Sequence, residues 1–255
     1  MITTYKHAPP PATCENNAEW RVRVDLAACY RLVDYFGMSE LIRTHISARV
    51  PGTVDEFLMK PDKLLFDEVT ASSLIKVNTH KEVSKESNIQ VNRAGFTIHS
   101  AVHMARPDAQ CVLHIHTRDG TAVAAQKDGL LPLSQHAARF YGSVGYHDYE
   151  GIALDLEERK RLTVHLGTNS VLILRNHGLL TVGRSIAEAF NHAYYLELAC
   201  QVQIAAQNSG VELIHLSKDI CEHTAAQVRG LSSPGERDWP ALLRLLDRKS
   251  LNFRS

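Results

Sequence analysis

The sequence predicts a single α/β domain in which helices cover a mainly antiparallel sheet, and three observations predict it. Helical periodicity, as in Trp20, Val24, Ala27, Ala28, Leu32 and Phe36, alternates along the chain with short β-type runs such as Cys111 to Ile115. Two tight-turn signals, Pro51-Gly52 and Asn176-His177-Gly178, each join two such runs, and a hairpin pairs its strands antiparallel. The 255 residues, free of internal repeats, are enough to bury a substantial core.

Taken in order, residues 1–15 read as a flexible tail, and Asn16 or Asn17 as the N-cap of a helix that Gly37 stops. A short helix from Ser39 to Arg43 leads to an alternating strand, Thr44 to Val50, with its hairpin return at Glu56 to Met59. Pro61 to Glu68 is a loop, Val69 to Val77 a helical turn and then a strand, and Thr79 to Gln90 a polar loop. Val91 to Gly95 opens a helix over Phe96 to Ala105 that Pro107 closes. Beyond the 111 to 116 strand come a small-residue helix at Gly120 to Gln126, a turn at Gly129 to Ser134, a helix at Gln135 to Phe140 and a strand at Gly142 to Tyr149. An amphipathic helix over Leu156 to Leu166 precedes the Val171 to Gly183 hairpin. Ser185 and Glu188 form a capping box for a long helix to Asn208. The domain thus spans residues 16–209. The remainder, 210–255, is a weakly patterned extension with a linker at Ser232 to Glu236 and a helix at Pro240 to Lys249.

Composition excludes several classes of function. Lys plus Arg and Asp plus Glu number 28 each, so no global field recruits nucleic acid or an anionic membrane. No apolar run approaches the ~20 residues of a membrane-spanning helix, and the first twelve residues are polar and proline-rich, so the expectation is a cytosolic protein. Five cysteines without a CxxC pair read as reduced packing residues. Function is therefore sought in a local site.

That site is marked by histidines. In a strand His114 and His116 share a face, and two imidazoles on one rigid edge can chelate a metal. His177 sits at the tip of the second hairpin. If that tip lies beside the end of the first strand, the three form a tripod with an open fourth position, as in a catalytic zinc site. His-x-His alone equally suits a solvated strand edge, and histidine tolerates turns, so the argument rests on the combination. His99 and His103, spaced i, i+4, share a helix face and serve either a metal or hydrogen bonds. Arg93 and Arg118 flank the site and read equally as anion-binding or as solvated loop arginines. Tyr146 and Tyr149 lie on opposite strand faces, so at most one points inward.

The chain resembles the class II aldolase/adducin family from about Trp20 to Ala206. The matching motifs are Thr44-His45-Ile46-Ser47-Ala48-Arg49, Asp67-Glu68-Val69-Thr70-Ala71-Ser72-Ser73-Leu74, Asn92-Arg93-Ala94-Gly95-Phe96-Thr97-Ile98-His99-Ser100, Arg106-Pro107-Asp108, His114-Ile115-His116-Thr117, Gly129-Leu130-Leu131-Pro132-Leu133-Ser134 and Arg175-Asn176-His177-Gly178. The resemblance implies an α/β/α sandwich and, by the matching positions, His114, His116 and His177 as ligands of Zn²⁺ or another divalent ion such as Mn²⁺, Co²⁺ or Fe²⁺. It further implies a homotetramer or other homo-oligomer with sites between subunits, and a lyase reaction on a small hydroxy-carbonyl or hydroxy-acid compound through a metal-stabilised enediolate.

The departures from that pattern matter. Sugar-phosphate aldolases of the family carry an acidic residue four positions before the helix histidine matched by His99; here Gly95 stands there. Arg93-Ala94 and Thr44-His45-Ile46-Ser47 replace the phosphate-binding residues. Proton transfer would then fall to His99, to Glu68 or to a neighbouring subunit's His136, Tyr146 or His147. Substrate contacts would fall to Arg93, Arg118 and Tyr146. Both departures point toward the adducin head domain. The alternatives are therefore a non-catalytic interaction module, or a decarboxylase or epimerase on the same scaffold.

Overall fold

The computed structural model describes residues 18–80, 91–151, 157–230, 233–249 and 252–255. The expected tail, the N-cap at Asn16 or Asn17, residues 81–90 of the polar loop, the start of the helix at 156 and position 232 of the expected linker lie outside these residues. Seven strands form one sheet: β1 (His45–Arg49), β2 (Glu56–Met59), β3 (Ile75–Asn78), β4 (Cys111–Ile115), β5 (Val144–His147), β6 (Val171–Leu174) and β7 (Gly178–Gly183). Their order is β3-β2-β1-β4-β7-β6-β5. Every neighbouring pair is antiparallel except β5 with β6.

Helices cover both faces, which gives the α/β/α sandwich. They are α1 (Ala18–Tyr35), α2 (Arg93–Ala105), α3 (Arg118–Ala124), α4 (Gln135–Ala138), α5 (Glu158–Leu166), α6 (Ile186–Gln207), α7 (Lys218–Arg229) and α8 (Trp239–Arg248). Strand alternation sorts the core. Ile46, Ala48, Cys111, Leu113, Ile115, Ile173 and Leu179 face one layer with Leu26 and Leu32 of α1 and Phe190 and Leu196 of α6. Val112, Leu172, Leu180 and Val182 face the other, against Ile98 and Val102 of α2 and Leu162 and Leu166 of α5. Each fully buried Val, Leu or Ile side chain among them contributes about 1.5–3 kcal/mol. The four described cysteines, Cys29, Cys111, Cys200 and Cys221, are free and buried.

Two local differences from the sequence reading have physical causes. Ser39 to Arg43 is a turn closed by a Glu40–Arg43 bridge, not a helix: Leu41 and Thr44 adopt left-handed backbones, φ 47° and 59°, which break helical geometry. The segment from Val211 hides a helix, α7. Ser217 caps it through Ile220 N–H, but only Cys221 and Ala225 are buried, too few for an apolar stripe. The extension also packs closely. Trp239 donates its indole N–H to Asp25, and Ala71 donates its backbone N–H to the carbonyl of the fully buried Phe253.

Candidate metal centre

The central strand β4 delivers the first imidazole. Because Cys111, Leu113 and Ile115 point into the α1/α6 layer, Val112 and His114 point toward α2, and His116 follows just past the strand end. His177 lies in the three-residue connection between β6 and β7, where Asn176 takes φ 57°. That tip is pinned: Asn176 N–H donates to Ala124 O, His177 N–H to Leu174 O, and Arg175 reaches Gln126 O. Gly178 permits the approach, since a Cβ there would stand 2.5 Å from Ile115 O and 2.9 Å from His116 Cδ2.

The result is a cluster in which one ring nitrogen from each of His114, His116 and His177 lies within 4.8 Å of the others. Ring centroids are 4.6, 4.7 and 4.9 Å apart. Two rings are oriented from behind. His114 Nδ1 lies 2.9 Å from Leu179 O and must donate to it, so its Nε2 carries a lone pair. His116 Nδ1 lies 2.7 Å from the Glu40 carboxylate, which in the neutral ring likewise leaves Nε2 a lone pair. These two Nε2 atoms face each other at 2.8 Å. Facing lone pairs repel unless a cation lies between them. A carbonyl or a carboxylate behind the imidazole is also the support that metal-ligating histidines use.

Burial favours the neutral rings of His114 and His177. It holds His114 well below the usual imidazole range, with the neighbouring histidines adding to the effect, and lowers His177 to about 4, again with His116 and His147 adding. At neutral pH protons therefore compete little for the ring nitrogens of His114 and His177.

The cluster forms the floor of a cleft of about 260 Å³ lined also by Arg43, Thr44, His45, Asn92, Ile98 and Tyr149. Thr44 is strained and buried, and its hydroxyl finds no hydrogen-bond partner among the described atoms. Such an orphaned polar atom is suited to meet a polar ligand.

The other residues expected from the sequence are distributed as follows. His99 is fully buried behind His45, its Nε2 2.8 Å from His45 Nδ1. Glu68 caps a 3₁₀ turn by accepting from Leu65 N–H, and Tyr146 accepts from Leu130 N–H beneath the Arg175 guanidinium. Arg118 is 90% exposed beside Asp119, and Arg93 is exposed at the start of α2; neither lines the cleft. His136 stacks on Tyr195, and His147 pairs with His165. His45, Arg43, Thr44 and Tyr149 were not singled out as site residues. For His45 a signal existed, because strand alternation puts His45 and Ser47 on the face that receives His99 and His103.

Comparison with known proteins gives a consistent picture. The model of the class II aldolase and adducin N-terminal domain matches residues 24–204. A protein of Pseudomonas aeruginosa bearing the name aldolase class 2 protein is 51% identical over 93% of both chains. Mouse alpha-adducin is 45% identical over 94% of this chain, which spans 34% of that longer protein. The solved L-fuculose 1-phosphate aldolase of Glaciozyma antarctica superposes with a TM-score of 0.83 at 29% identity, covering 97% of each chain.

Proposed function

Because the chain belongs to the class II aldolase and adducin family, we propose that it is a divalent-metal-dependent lyase acting on a small hydroxy-carbonyl or hydroxy-acid compound. The observation that carries this reading is the convergence of His114, His116 and His177, two of them oriented from behind by Leu179 O and Glu40. Three imidazole donors suit Zn²⁺, and Mn²⁺, Co²⁺ or Fe²⁺ fit the same donors. The bound ion would supply Lewis acidity toward a carbonyl and an adjacent oxygen.

The chain's own residues do the rest. Arg43 at the cleft rim attracts an anionic end of the substrate, Thr44 offers its free hydroxyl to a substrate oxygen, and Tyr149, 53% exposed, flanks the mouth. The relative named L-fuculose 1-phosphate aldolase supports aldol-type carbon–carbon chemistry. We do not carry over its phosphate, because Arg93-Ala94 and Thr44-His45-Ile46-Ser47 stand where the aldolase phosphate residues are expected. A homo-oligomer, a homotetramer by family resemblance, and a cytosolic location belong to the same proposal.

The test is metal content by mass spectrometry together with turnover of hydroxy-acids, keto-acids and sugar phosphates. The wild type should hold about one ion per chain and turn over at least one compound. His177→Ala should lose the ion and the activity while keeping its circular dichroism, because only a turn residue changes. A second reading, an adducin-like interaction module, is favoured by the 45% identity to alpha-adducin and by Gly95. A chain that takes up no ion would support it.

A further inference from the structure

A line of buried polar groups runs from the far end of α2 to the cleft. His103 Nδ1 lies 3.2 Å from Ala109 O, His103 Nε2 lies 2.8 Å from Ser47 Oγ, Ser47 Oγ meets His99 Nδ1, and His99 Nε2 lies 2.8 Å from His45 Nδ1. Its polarity is set at one end. The Ala109 carbonyl can only accept, so His103 Nδ1 carries the proton, and the neutral ring then accepts at Nε2. Ser47 must spend its single proton there, so its oxygen accepts from His99 Nδ1–H. His99 Nε2 is left to accept from His45 Nδ1–H. The line therefore ends in a lone pair on His45 Nε2.

We propose that His45 Nε2 is the proton acceptor of the cleft, with Ser47, His99 and His103 as positioning residues that hold its tautomer. This rests on the lyase reading above. His45 pairs with His114 across β1 and β4 and lines the same cleft as the three imidazoles. No hydrogen bond engages its Nε2 among the described residues. No carboxylate lines the cleft among those residues. Asn92 spends its Oδ1 on Gly95 N–H, and Arg43 and Tyr149 carry no neutral basic nitrogen. Position 95 is shaped around the ring: a Cβ there would lie 2.5 Å from His45 Cδ2 and 2.8 Å from Nε2. A side chain at 95 and the imidazole of His45 thus exclude each other, and the molecule has chosen the imidazole.

In the step this predicts, the bond between a proton and the carbon next to a substrate carbonyl breaks. Its electron pair is retained by that carbon and delocalises to the carbonyl oxygen. The proton passes to Nε2, and the imidazolium so formed keeps its Nδ1–H on His99 until Nε2 returns a proton to carbon.

The probes are hydroxyacetone and dihydroxyacetone with the metal-loaded protein in deuterium oxide, read by loss of the C–H signal, together with the histidine tautomers of the ¹⁵N-labelled, metal-free protein. His45 should show Nδ1–H and an unprotonated Nε2. His45→Gln, which keeps a side-chain donor but no basic nitrogen, should slow exchange by about 10²- to 10⁴-fold with metal content unchanged. His45→Ala combined with Gly95→Glu places a carboxylate in the vacated space and should recover exchange that neither single variant shows. Ser47→Ala should lower the exchange rate and disturb the His45 tautomer. If the wild type exchanges and His45→Gln stays within threefold of it, or His45 carries its proton on Nε2, the inference falls and the lyase reading stands. If the fully metal-loaded wild type exchanges neither probe and turns over none of the hydroxy-acids, keto-acids and sugar phosphates, both fall together.

Discussion

Glu40 shows how much of the site hangs on a single side chain. It lies on the turn before β1, half exposed, and reaches His116 Nδ1 at 2.7 Å. Removing it frees the ring to rotate or to change tautomer, so Glu40→Ala should weaken metal affinity by about 10- to 100-fold in a competition titration while leaving the thermal midpoint of the metal-free protein nearly unchanged. Gly178 acts by absence. In Gly178→Ala the added carbon must displace Ile115 O or His116, so metal affinity and stability should fall together. At this scale the sequence disclosed His114, His116 and His177, because each follows a stiff apolar run. It did not disclose the role of His45, since that needs α2 laid over β1 to bring His99 to its ring. Glu40 was equally hidden: its link to His116 crosses 76 residues.

Among the elements, β4, α2 and the β6–β7 hairpin carry the site, and the last segment braces the layer behind it. Phe253 is fully buried, packed within the cluster that contains Leu26, Leu113 and Phe190, and its backbone ties to Ala71. Phe253→Ala should cost about 3–5 kcal/mol in urea unfolding, with little direct effect on metal binding by the molecules that remain folded. The strands and the main helices were legible because their apolar periods are strong. Where they are weak, other physics decided. Ser39 to Arg43 reads as a short helix, yet Leu41 is 78% exposed with a left-handed backbone. The two buried positions of α7 left no stripe to read, and the parallel pairing of β5 with β6 carries no turn signal of its own.

For the whole molecule, the buried histidines tie stability to pH. Burial, with the nearby Arg49 charge, lowers His103 to about 3, and burial holds His99 well below the usual range. In the unfolded chain these rings titrate near 6.5. Below that pH the unfolded state takes up protons that the fold refuses, so stability is present above about 6.5 and is lost as the pH falls. Each such ring contributes a slope of about 1.4 kcal/mol per pH unit between pH 6 and 4.5. Urea unfolding of metal-free protein across that window should show it, and His103→Gln should lower the slope by about one such increment.

The most direct test of the central claim is X-ray absorption spectroscopy of the protein loaded with one equivalent of Zn²⁺. The account predicts three imidazole nitrogens and a light, exchangeable ligand around the ion, falling to two imidazoles or to no bound ion in His177→Ala. An ion held by fewer than three imidazoles in the wild type, or a spectrum unchanged in that variant, would contradict it.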